Sequence, residues 1–123
     1  MLTAIAYGLA IFLIVFVLFI GARFLLTPES AAEGFGVPAK PDGDAAYLTV
    51  KGLRDFTSGV IGLALIIFAD ADAVGWYMLA VSLTPFGDTL IVLRNGGTKA
   101  TAFGIHFATA VVVLISAALL FIA

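Results

Sequence analysis

Apolar positions along the chain gather into four long runs, without the one-sided stripes or strict alternation of a soluble fold. The runs cover residues 2–22, 53–69, 74–93 and 100–123. Each comes close to or exceeds the ~20 residues that carry a helix across the hydrocarbon of a bilayer. With their flanks they predict spans over about 2–26, 45–69, 74–94 and 99–123. The fold class this implies is all-α: a four-transmembrane-helix bundle with a short interfacial helix in the first loop. The bundle forms a single domain over residues 1–123.

The polar punctuation between the runs predicts the connections. Thr27-Pro28-Glu29-Ser30 opens a short helix, with Thr27 as N-cap, Pro28 at N1 and Gly34 ending it. Phe35-Gly36-Val37-Pro38 is too apolar for a tether and packs across the bundle end, while Lys40 to Asp44 makes an exposed turn. Asp70-Ala71-Asp72 reads as an acidic turn, and Trp76 and Tyr77 take interface positions behind it. Pro85 cannot donate to the carbonyl of Val81, which predicts a kink in span three. Arg94 to Lys99 forms a tight basic turn.

Composition strengthens the membrane reading. Apolar residues make up 63% of the chain and charged residues 11%, against roughly 45–50% and 25% in soluble domains. A net charge of −2 without any Lys/Arg-rich tract gives nucleic acid no surface to bind. Cysteine is absent, which excludes disulfides and thiolate chemistry. The first run lacks a basic leader and is longer than a signal-peptide core, so it reads as a retained span. The first and third loops hold Arg23, Lys40, Arg94 and Lys99, and the second only Asp70 and Asp72. The positive-inside rule then puts both termini outside the cytoplasmic (inner) membrane.

Against that background the stretch Lys51-Gly52-Leu53-Arg54-Asp55 is costly, at roughly 2.5–3.5 kcal/mol for each charge at the centre of a span. Helical rise puts Asp55 about 6 Å inward from Lys51, Asp88 about 9 Å from Arg94 and His106 about 10 Å from Lys99. Ionisable groups from three spans therefore reach nearly one depth. Lys51, Asp55, Ser58 and Gly62 share a stripe; Gly52, Gly59 and Gly62 let another helix close in and leave room beside the carboxylate. A Lys51–Asp55 contact at i,i+4 would leave Arg54 free to cross to Asp88.

These positions supply the candidate site. Asp55, Asp88 and His106 are the acid/base candidates, because carboxylates and an imidazole can pass a proton without a redox cofactor. Arg54, Lys51, Arg23, Ser58 and Thr84 are the substrate-binding candidates. Competing readings stand beside them. Arg23 can snorkel to the interface, His106 can be a buried hydrogen-bonded histidine, and Arg54 and Asp55 can be an ion pair pinning helix register. Asp55, Asp88 and His106 match metal chemistry in ligand type but in no motif spacing, so no metal and no cofactor is assigned.

Residues Gly21-Ala22-Arg23 through Pro28, Ala31 through Pro38, Lys51 through Asp55, Pro85 through Asp88, and His106 together resemble the domain-of-unknown-function family 4267. The resemblance implies a small four-helix membrane fold and brings no activity with it. From the residues, the expected function is acid/base chemistry of an isomerase, cyclase or hydratase type on a lipophilic small molecule. The alternatives are a structural or accessory membrane subunit, whose ion pairs fix packing, and a small proton-coupled transporter. The expected partners are the lipid bilayer and that molecule, with a homo-oligomer left open.

Overall fold

The computed structural model of the chain describes residues 1–40 and 43–123. Pro41 and Asp42 of the expected exposed turn lie outside the described residues. Among the described residues seven α-helices follow in order: α1 (Leu2–Leu26), α2 (Pro28–Phe35), α3 (Asp44–Phe68), α4 (Ala71–Val81), α5 (Leu83–Arg94), α6 (Lys99–Thr101) and α7 (Ala108–Ile122). A π-helical segment, Ala102–Phe107, joins α6 to α7. No strand occurs among the described residues.

Leu2–Leu26, Ala71–Arg94 and Lys99–Ile122 are long and apolar enough to cross a membrane. These are the features of an integral membrane protein. The fourth expected span, α3, equals α1 at 25 residues but is not among them. Lys51, Arg54 and Asp55 break its apolar surface.

Several boundaries move for local physical reasons. The Thr27 hydroxyl donates to the Arg23 carbonyl and makes no cap bond, so Pro28 alone starts α2. The helix runs past Gly34 to Phe35, whose ring packs edge-on against Phe24 at 6.1 Å. Gly36 ends it at φ 107°, a left-handed conformation that costs glycine little. The expected acidic turn is instead the start of α4, where the Asp70 carboxylate accepts from Ala73 N–H at 2.9 Å. Between α4 and α5 the helix breaks at Ser82, four residues after Met78 and three before Pro85. Pro85 withholds a donor there, and the Ser82 hydroxyl bonds back to the Leu79 carbonyl at 2.6 Å.

Packing follows the small residues. α1 and α3 lie against each other along their length. A Cβ added at Gly52 would stand 2.7 Å from Leu25 N and 2.8 Å from the Gly21 carbonyl oxygen. At Gly59 and Gly62 it would run into Leu18 and Ile14. The glycine face expected to leave a hollow beside Asp55 is thus filled by α1. On its other side α1 meets α7, which packs on α4, and Ala6, Ala10, Ile14, Val74, Met78 and Leu120 form the shared core. α3 touches α1, α2 and α4 but makes no substantial contact with α5. Side chains of both helices nevertheless line the site.

Candidate functional site

A cavity of about 370 Å³ lies inside the bundle, at the end closed by α2. Its lower wall is apolar, from Leu13, Ile14, Val17, Met78 and Val113. Its upper wall takes Arg23 from α1, Lys51, Arg54, Asp55 and Ser58 from α3, Thr84 and Asp88 from α5, and His106 from the π-helical segment. All eight candidate residues therefore line one space; of the two pairings expected among them, Lys51–Asp55 forms and Arg54–Asp88 does not.

Lys51 and Asp55 form the only ion pair among the described residues, with Nζ 2.6 Å from Oδ2. The ammonium also lies over two aromatic faces, 4.1 Å from the Phe24 ring centre and 5.0 Å from that of Phe35. Such faces attract a cation through their quadrupole. Asp55 is thereby committed to Lys51. The expected Arg54–Asp88 bridge is not formed. Arg54 precedes Asp55 by one residue, about 100° of helix rotation, which turns it from the Asp55 stripe to the exposed edge of the cavity. Among the described residues neither Arg54 nor Asp88 has a hydrogen-bond or ion-pair partner. Arg23 reaches only the Ser30 hydroxyl, at 3.3 Å.

His106 is 7% exposed, with Nε2 2.7 Å from the Phe35 carbonyl oxygen. A carbonyl only accepts, so Nε2 carries the proton and Nδ1 is the nitrogen left to exchange one. The imidazole also rests on the Phe35 ring, with centroids 4.3 Å apart. The π-helical turn aims it there: one extra residue per turn swings the side chain relative to a regular helix.

Two side chains belong to the site without having been expected there. Tyr77 points inward from α4 rather than to the interface, donating its hydroxyl to the Ser58 carbonyl and lying 3.2 Å from Ser58 Oγ. The signal was available, since both residues stand two to three turns from the Ala69–Asp70 connection on consecutive antiparallel helices. Tyr77→Phe is expected to lower stability by about 0.5–1.5 kcal/mol without unfolding the chain, read as a thermal midpoint in detergent. Phe35 is the second, as backbone partner of His106 and ring partner of Lys51. With Phe24, Lys51 and Asp88 it also lines a smaller cavity of about 270 Å³, bounded further by Val37, Tyr47 and Ile91. Among the described residues no group of three His, Asp or Glu side chains comes together as metal ligands.

A family model for a domain of unknown function, DUF4267, matches residues 14–120. The chain belongs to this family. The matched stretch of this DUF4267 chain contains every residue of the cavity's polar wall. No curated protein and no solved structure matches the chain.

Proposed function

We propose that this DUF4267 protein is a four-span bundle, with α3 as the fourth span, that binds a lipophilic small molecule in its cavity and moves a proton on it. In this reading both termini lie outside and α2 lies at the cytoplasmic face of the inner membrane. The observation that carries it is the pairing of an uncommitted carboxylate, Asp88, with an imidazole of fixed tautomer, His106, on one mostly apolar space. Charged or titratable groups at such depth face a cavity because they have a use there.

The chemistry needs no redox partner. In isomerisation His106 Nδ1 takes a proton from the carbon next to a double bond, and the Asp88 carboxyl group delivers one to the far carbon of that bond as the double bond shifts. In ring closure the carbon that loses its proton bonds to one carbon of a double bond, and Asp88 protonates the other. In hydration Asp88 protonates one carbon of the double bond, water adds to the other, and His106 Nδ1 takes the proton that water gives up. Lys51, held by Asp55 and the two rings, supplies a fixed positive charge where negative charge develops. Ser58 and Tyr77 hold α3 and α4 together at the base of the site.

Lipid-soluble extracts of purified protein test this. Wild type and Asp88→Asn are expected to retain the same class of molecule, with the unconverted form enriched in the variant. The two forms should share a mass or differ by one water. Ile20→Trp, which fills the cavity from α1, is expected to retain none. If no molecule is enriched by any of these while all remain folded, the polar wall is a packing device and the structural reading stands.

A further inference from the structure

The cavity's exposed edge lies on α3 and α5, and we take the space between these helices as its mouth. Both helices contribute side chains to the cavity, yet they make no substantial contact with each other. Arg54 on one lip and Thr84 on the other are exposed. We infer that this mouth admits an amphiphile with an anionic polar end, received by Arg54 while its apolar chain occupies the cavity. The inference rests on the reading of the cavity as a ligand site, and it names the class of ligand.

The order of polarity is the first argument. Charged side chains gather at the end under α2, and the wall beyond them is Leu13, Ile14, Val17, Met78 and Val113. Gly52 lies against the last turn of α1, so Lys51, Arg54 and Asp55 stand near that end of the bundle. An amphiphile resting in one leaflet has the same order, polar end outermost and chain toward the midplane. It can slide in sideways without dragging its charge through hydrocarbon, which would cost several kcal/mol.

The sign of the charge is the second. Three cations line the cavity. Lys51 is occupied by Asp55 and two aromatic faces, and Arg23 by Ser30. Arg54 is occupied by nothing among the described residues. A guanidinium on a bilayer-facing surface needs an anion, and its planar fork receives a carboxylate or phosphate through two parallel hydrogen bonds. Asp88 also has no partner among the described residues, but it is less exposed than Arg54, so a polar end arriving at the cavity's exposed edge meets the guanidinium first. A volume of about 370 Å³ suits one apolar chain better than a two-chain lipid, whose second chain would remain outside the mouth.

The test uses the full chain in phosphatidylcholine nanodiscs, with dodecanoate, dodecanol and dodecylamine as probes of one chain length. Binding is read by native mass spectrometry and folding by circular dichroism. Dodecanoate is expected to bind at least about tenfold more tightly than the other two. Arg54→Gln should remove that preference and leave dodecanol binding unchanged, Arg54→Lys should restore part of it, and Arg94→Gln should have no effect. Equal binding of all three, a preference for the amine, or a preference surviving Arg54→Gln overturns the anion inference while the ligand site stands. Binding of none by folded protein overturns the ligand site as well. Adding phosphatidate to the nanodiscs separates the two sources of such an anion. Displacement identifies bilayer lipid, its absence a free single-chain acid, and either is consistent with Arg54 as receiver.

Discussion

Asp88→Asn is expected to lower turnover by about a hundredfold or more and to leave the thermal midpoint of the detergent-solubilised protein nearly unchanged. General acid or base groups contribute typically ~10²–10⁴-fold to rate, and asparagine keeps the shape of aspartate while losing its exchangeable proton. Stability is spared because Asp88 has no ion-pair or hydrogen-bond partner to lose among the described residues. Asp55→Asn provides the contrast. It strips Lys51 of its carboxylate, whose side chain is 17% exposed. The expected cost is about 2 kcal/mol, below the ~3–5 kcal/mol of a fully buried pair because solvent reaches part of both groups. On the proposed function, two isosteric substitutions on α5 and α3 therefore separate a group that reacts from a group that holds. Should Asp88→Asn unfold the protein, or Asp55→Asn leave it untouched, these roles would be assigned to the wrong carboxylates.

Gly52→Leu is expected to abolish the folded bundle or cost about 3 kcal/mol or more. Backbone atoms of α1 occupy the place of its Cβ, with Leu25 N at 2.7 Å and the Gly21 carbonyl oxygen at 2.8 Å. No rotamer relieves such an overlap, so α1 must move off α3. Separation would open the polar wall, because Arg23 sits on one helix and Lys51, Arg54 and Asp55 on the other. Gly8→Ala serves as the control. Nothing lies within 4 Å of its added Cβ, so a gain of roughly 0.5–1 kcal/mol from helix propensity is expected. Thermal midpoints and gel-filtration profiles of the two variants check both outcomes.

The helices were legible because long apolar runs bounded by Pro, Gly and acidic residues have few other readings in a chain this short. The depth of the polar wall was legible too, since helical rise counts inward from Arg94, Lys99 and the start of span two. Direction around each helix was harder to read. Arg54 is one residue from Asp55, yet that single step carries it from the buried stripe to the exposed edge of the cavity. The α3 glycines looked like room for a guest, but close approach of two helices and an empty pocket leave the same mark in a sequence. Here α1 takes the space, and the hollow is instead enclosed by side chains from α1, α3, α4, α5 and the π-helical segment. The π-helical turn at Ala102–Phe107 has no propensity signature, so the aim of His106 at the Phe35 carbonyl could not be foreseen.

The proposed function depends above all on a space inside the bundle that a lipophilic molecule enters and fills. Photolabelling in membranes with an apolar diazirine measures that directly, with the adducts located by peptide mass spectrometry. Saturable labelling of Ser58, Thr84 and Thr109, lost in Ile20→Trp, is the predicted result. Adducts confined to outward residues such as Phe12 and Phe19, rising without saturation and unchanged in Ile20→Trp, would contradict it.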